Sequence, residues 1–205
     1  MRLGIMGGTF DPVHLGHLII AEEARLRVGL DRVLFVPAGR PWLKAGGPKA
    51  SAQDRLAMVR LAIKGNPFFD CTAIEVNRQG NSYTAVTLEE LRAALGLDTE
   101  LFFIVGLDSL ADFHRWQRPD RILKLATLVV LVRPGYDRSS LRVLDKVKDG
   151  ASQSAVLLEG PLIEISSTEI RRRVAQGASI RYLVPPEVER YIMAHGLYRS
   201  EEKAT

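Results

Sequence analysis

Cysteine is almost missing from this sequence: Cys71 stands alone among 205 residues. A single thiol excludes an intramolecular disulfide and leaves no thiolate cluster for zinc. Because it sits in the apolar stretch FFDCTAIEV, an inert buried thiol is expected rather than a nucleophile. No apolar run reaches the ~20 residues of a membrane span. The opening MRLGIMGG is too short and too glycine-rich for a secretory leader, which makes the cytoplasm the expected compartment. Internal repeats, low-complexity segments and linkers are lacking too, and this argues against a second domain.

The composition is that of an ordinary globular chain, 46% hydrophobic and 25% charged, long enough to bury a full core without staples. Its net charge of +4 and pI near 9.4 suggest an anionic partner. They do not choose between nucleic acid, nucleotide and membrane surface. The densest basic run, IRRRV at 170–174, reads for the most part as a solvated helix face.

Short β-branched runs alternate with longer amphipathic segments. RLGIM leads to a helix-like LGHLIIAEEARLRVGL, then RVLFVPA, then SAQDRLAMVRLAIKG with Ser51 as N-cap and Asp54 at the third helical position. CTAIEV, ELFFIVG, TLVVLV, AVLL and LIEI read as further strands. TAVTLEELRAALG closed by Gly96, a stretch from Ser109, SSLRVLDKVKDG and the end of the chain read as helices. Apolar runs without polar alternation fit strands buried on both faces, so the fold expected is α/β: a doubly wound, Rossmann-like parallel sheet with helices on both faces and a small helical C-terminal part. Residues 1–199 form the expected single domain and 200–205 a disordered tail. The Gly- and Pro-rich loops 39–50 and 133–139 are expected to be mobile.

GGTFDPVHLGH, residues 7–17, follows the first strand and enters the first helix. Glycines there let backbone N–H groups approach a phosphate, and a helix start favours negative charge. The stretch is neither a Walker sequence, since no Gly-Lys-Ser/Thr closes it, nor GxGxxG. With a helix beginning near Val13, His14 and His17 share one face of its first turn, and Gly16 keeps the surface between them low. Such a pair donates well to phosphoryl oxygens; a metal pair and a capping histidine are the alternatives, and no third metal ligand is apparent.

Gly8, Thr9, Phe10, Asp11, Pro12, His14, Gly16 and His17 together match the signature of the HxGH nucleotidyltransferase superfamily. Within it the chain most resembles the bacterial nicotinate mononucleotide adenylyltransferase family. The likeness runs through NRQGNSYTAVTLEEL, GLDSLADFHRW, VRPG, ISSTEIRRRV and YLVPPEVERYIMAHGLY, in that order over nearly the whole length. It implies transfer of an adenylyl group from ATP to nicotinate mononucleotide, with Mg²⁺ accompanying ATP and no metal ligands from the protein. Neither nucleic acid nor membrane is a partner in this reading; a homo-oligomer stays open.

By the same resemblance, His14, His17 and Arg171 act on the reacting phosphates, while Gly8, Thr9, Phe10 and Gly16 form the ATP loop. Gly106 and Asp108 after the fourth strand, Arg133 after the fifth, and Ser166, Ser167 and Thr168 complete the ATP site. Lys44, Tyr83, Thr84 and Trp116 would hold the mononucleotide, with Trp116 stacking on the pyridine ring. Bland readings stand beside these. Asp108 is equally placed as a helix N-cap, ISSTEIR as an ordinary cap with an arginine-rich outer face, and Trp116 as core. Arg172, Arg173 and His114 read as surface residues, and His195 as a helix end beside Gly196. One departure is visible: Leu43 stands before Lys44, where the family usually carries His.

The implied chemistry asks little of the side chains. A 5′-phosphate is already ionised and attacks the α-phosphorus of ATP in line, so the lack of a Ser-His-Asp or Cys-His arrangement fits. Two rivals remain open: a transferase acting on phosphopantetheine or a phospho-alcohol, and a basic RNA-binding module with a vestigial nucleotide site.

Overall fold

The computed structural model describes residues 1–42, 47–132, 138–161 and 163–199, apart from the side chains of Asp108, Arg138 and Ser140. Four expectations therefore lie outside the described residues: Lys44 and its neighbour Leu43, Arg133, the side chain of Asp108, and the tail at 200–205. The loops expected to be mobile fall outside them at 43–46 and 133–137.

Six strands form one sheet: β1 (Arg2–Gly8), β2 (Arg32–Pro37), β3 (Phe69–Cys71), β4 (Glu100–Gly106), β5 (Thr127–Val132) and β6 (Val156–Glu159). Their order is β3-β2-β1-β4-β5-β6, and every neighbouring pair is parallel. The order reverses between β1 and β4, whose carboxyl ends open the crevice where doubly wound sheets bind ligands.

Two apolar layers sandwich the sheet. On one side α1 (Leu15–Val28), α2 (Ala52–Ile63), α7 (Ser167–Ala175) and α8 (Pro186–Ala194) bury Ala21, Met58, Ile170 and Ile192 against Phe35 and Ile104. On the other, α3 (Thr84–Leu95), α5 (Pro119–Leu125) and the 3₁₀ segments Phe113–Arg115 and Arg138–Lys146 bury Leu88, Ile122, Phe113 and Leu144 against Ile5 and Val130. Two four-residue helices, α4 (Leu107–Leu110) and α6 (Ala151–Ser154), complete the chain. Burial on both faces explains why the strands read as continuous apolar runs. No helix among the described residues is long and apolar enough to cross a membrane.

Two strand expectations are corrected. CTAIEV keeps only Cys71 in β3, because the chain turns at once: Asn77 N–H bonds to the Ala73 carbonyl at 2.9 Å and Arg78 N–H to that of Glu75. LIEI forms no strand over residues 163–165, and Leu162 lies outside the described residues. SSLRVLDKVKDG is a 3₁₀ segment ending at Lys146 rather than an α-helix. Ser51 caps α2 as expected, accepting from Asp54 N–H. Cys71 is only half-buried, and burial still pushes its thiol up to about 11, so it stays protonated and inert at neutral pH.

Candidate active site

β1 ends at Gly8, and the chain turns through Phe10, which takes a left-handed φ of 51° and buries its ring. That ring lies under Gly8, where an added Cβ would come within 3.0 Å of it, and packs edge-on against His17 at 5.0 Å. Phe10 thus supports the turn from below, and only its backbone is placed to face a ligand.

His14 is the N-cap of α1, so the helix begins at Leu15, two positions later than the start expected near Val13. The expected pairing holds: the two imidazoles stack with centroids 3.7 Å apart and planes 29° from parallel. His17 Nδ1 accepts the His14 backbone N–H at 3.2 Å, which leaves the neutral ring's proton on Nε2. His14 is buried, its Nδ1 has no hydrogen-bond partner among the described residues, and desolvation lowers its pKa to about 4. Gly16 lies against the same ring: a Cβ there would sit 3.0 Å from His14 Nδ1. With no acidic residue in its first turn, α1 points an uncompensated positive helix end at this spot.

The second motif docks on the same turn. Arg171 donates to the Asp11 carbonyl at 2.7 Å and lies 3.8 Å from its carboxylate, while Ser167 O–H donates to the Pro12 carbonyl at 2.9 Å. Ser166 caps α7 by accepting from Glu169 N–H, so the ordinary cap left open by the sequence is present. Thr168 Oγ1 accepts from Arg171. These contacts fasten the start of α7 and its arginine to the turn. Arg172 and Arg173 pair with Glu169, whose carboxyl they hold down to about 2, and they lie on the surface as expected.

Two residues outside the expected set organise the turn. Arg55 is buried in α2 and donates to three carbonyls, Thr9 at 2.7 Å, Gly39 at 3.1 Å and Ala50 at 3.4 Å, tying the ends of β1 and β2 to the start of α2. Asp11, also buried, accepts from Lys49 N–H, Ala50 N–H and Tyr198 O–H. Arg55 was legible: it lies three and four residues before Met58 and Val59, on the buried face of its helix.

On the other side of the crevice, Thr84 opens α3 as expected, and Tyr83 is its N-cap. The Tyr83 side chain makes no capping bond and the first turn holds no acid, so this helix start also favours an anion. The turn is fixed to the loop after β2: Gly39 N–H and Arg40 N–H donate to Ser82 Oγ, and Ser82 N–H donates to the Arg40 carbonyl. Beneath it Glu75 accepts from Thr87 and Ser82, and burial raises its pKa. A Cβ on Gly39 would collide with the Glu75 carbonyl at 2.1 Å. Trp42 packs its ring 5.8 Å from Tyr83.

Trp116 packs against the core, the bland one of its two readings. It is half-buried, edge-on to Phe103 at 6.0 Å and tilted on Phe113 at 5.4 Å, with its Nε1 buried and unpartnered among the described residues. Gly106 lies exposed at the end of β4, with open space where a Cβ would be. His114 is exposed, and His195 is the C-cap of α8, stacked on Tyr191.

Comparison with known proteins gives a consistent result. The model of a family described as Cytidylyltransferase-like matches residues 5–173. A probable nicotinate-nucleotide adenylyltransferase of Roseiflexus sp. (strain RS-1) is 51% identical over 197 residues, covering 96% of this chain and 98% of the relative. A second, from Dehalococcoides mccartyi (strain ATCC BAA-2266 / KCTC 15142 / 195), is 43% identical over 98% of both chains. Among solved structures, Plasmodium falciparum nicotinic acid mononucleotide adenylyltransferase complexed with NaAD superposes with a TM-score of 0.77 at 18% identity. That match covers 96% of this chain and 97% of that one.

Proposed function

Since the chain belongs to the cytidylyltransferase-like family, we propose that it is a nicotinate-nucleotide adenylyltransferase, with residues 1–199 as its nucleotidyltransferase unit. It takes ATP and nicotinate mononucleotide and gives deamido-NAD and pyrophosphate. The observation that carries this reading is the joining of the two motifs: Arg171 and Ser167 are bonded to the backbone of the turn that leads into the stacked His14 and His17.

A 5′-phosphate oxygen of the mononucleotide attacks the α-phosphorus of ATP; the new P–O bond forms as the bond to the β-phosphate oxygen breaks, and its electron pair leaves with pyrophosphate. No proton has to be removed from the nucleophile, so the site needs charge stabilisation and alignment, not a base. His17 donates from Nε2 to phosphoryl oxygens, and Arg171 adds a fixed positive charge. His14 enters neutral, and the positive end of α1 lies behind both rings. Gly8, Thr9, Phe10 and Gly16 line the ATP phosphates with backbone. Gly106, Asp108, Arg133 and Thr168 belong to the rest of the ATP site. Lys44, Tyr83, Thr84 and Trp116 hold the mononucleotide.

Mg²⁺ would enter with ATP, held by its phosphate oxygens and water, and among the described residues no cluster of three or more His, Cys, Asp or Glu is suited to a metal. When bound, it neutralises charge on the phosphates. We place the reaction in the cytoplasm, with small molecules as partners and neither nucleic acid nor membrane involved.

The test is pyrophosphate release by the purified protein with Mg-ATP and a panel of acceptors. Turnover with nicotinate mononucleotide and none with phosphopantetheine or a phospho-alcohol is expected; the reverse pattern, or no release at all, contradicts the reading.

A further inference from the structure

Asp11 is held in an unusual balance. Its carboxylate is buried, with 3% of the residue exposed, and a buried charge is stable only if surrounded by donors. Oδ1 accepts from Tyr198 O–H at 2.8 Å and Ala50 N–H at 3.1 Å; Oδ2 accepts from Lys49 N–H at 2.8 Å and faces Arg171 at 3.8 Å. Arg55, the other cation of this region, has its guanidinium spread over the carbonyls of Thr9, Gly39 and Ala50. Among these contacts, Arg171 supplies the positive charge beside the carboxylate that a ligand is able to draw away.

Tyr198 comes from the segment after α8 and adopts a left-handed φ of 64°, a costly conformation for a tyrosine. Its ring packs on the apolar layer formed by α1, α2, α7 and α8. The hydroxyl reaches across the molecule to a residue 187 positions earlier.

We propose that Tyr198 is a positioning residue for ATP, acting through Asp11 on Arg171. This rests on the reading in which Arg171 engages the ATP phosphates. When the guanidinium turns to the phosphates, the buried carboxylate loses part of its compensation, and the Tyr198 hydroxyl holds it in place and lowers the cost of releasing the arginine. Without that hydroxyl, Asp11 keeps a stronger claim on Arg171, and ATP must compete with it. The effect belongs to ATP binding, since the acceptor does not contact this carboxylate in the proposed site.

The test is a double-mutant cycle of Tyr198→Phe and Arg171→Ala, reading affinity for a non-hydrolysable ATP analogue by titration calorimetry and the acceptor KM by pyrophosphate release. Phenylalanine keeps the packed ring, so melting monitored by circular dichroism is expected to change little. Tyr198→Phe should weaken the analogue about 5- to 20-fold while leaving the acceptor KM within about twofold, and should weaken it no further in the Arg171→Ala background. Unchanged affinity in the single variant, or a loss that persists in full without Arg171, overturns the coupling. So does a variant that melts early yet binds the analogue normally while folded. If Arg171→Ala alone leaves affinity intact, the role of Arg171 in ATP binding fails, and the coupling fails with it; if Arg171→Ala weakens ATP and Tyr198→Phe does not, only the coupling fails.

Discussion

The imidazole of His14 stacks on that of His17 at 3.7 Å, and burial lowers its pKa to about 4, so one ring of the pair is neutral at pH 7. A neutral His14 lets the stack form without repulsion between two cations and keeps the buried ring compatible with its desolvated surroundings.

The same shift makes stability depend on pH. The unfolded chain protonates His14 near 6.5 and the folded protein only near 4, so between these values the unfolded state binds more protons. The contribution is fully present above pH 6.5 and is lost as pH falls towards 4, amounting to roughly 3 kcal/mol. Denaturant unfolding of the wild type and His14→Asn at a series of pH values checks this: the wild type should lose stability more steeply across that window. Parallel curves would mean that His14 titrates normally.

Arg171 and Arg173 are two residues apart, but only Arg171 touches the Asp11 turn; Arg173 is paired with Glu169 on the surface. Arg171→Ala should raise the KM for ATP and lower kcat by about 10- to 100-fold, while Arg173→Ala changes either by less than about twofold. Small and equal effects would return the whole run to solvated charge.

The start of α3 should select the acid over the amide. N–H groups there are not capped by Tyr83 and suit a carboxylate, whereas the amide of nicotinamide mononucleotide brings its own donors against them. Two mismatches at roughly 1–2 kcal/mol each predict a preference of about 30- to 1000-fold in kcat/KM for nicotinate mononucleotide. Equal kcat/KM values for the two acceptors would remove Tyr83 and Thr84 from the pyridine substituent.

Much of this architecture was legible because the central strands, buried on both faces, are written as runs such as LFFIV, and because α2 and α7 start after the serine caps Ser51 and Ser166. CTAIEV misled for a physical reason: Glu75 sits below the Ser82 turn, not in the sheet, and only tertiary contacts with Thr87 and Gly39 reveal it. At the site, HxGH spacing gave the stacked pair, but local sequence carries no sign that Asp11 would meet Tyr198 or that Arg55 would satisfy carbonyls from separate loops. Those bonds join residues far apart in the chain. The hydroxyls of ISSTEIR open a helix as the spacing predicts, and Ser166 and Ser167 bond to protein there, which spacing alone does not distinguish from bonding to phosphate.

The proposed mechanism requires His17 to act on the transferring phosphates, and kcat of His17→Ala at saturating ATP and nicotinate mononucleotide tests that most directly. A fall of about 10²-fold or more with thermal melting nearly unchanged is predicted, because the lost donor acts in the transition state. Near-normal turnover, or a variant that simply unfolds, would make the stacked histidines a structural cap and contradict the mechanism.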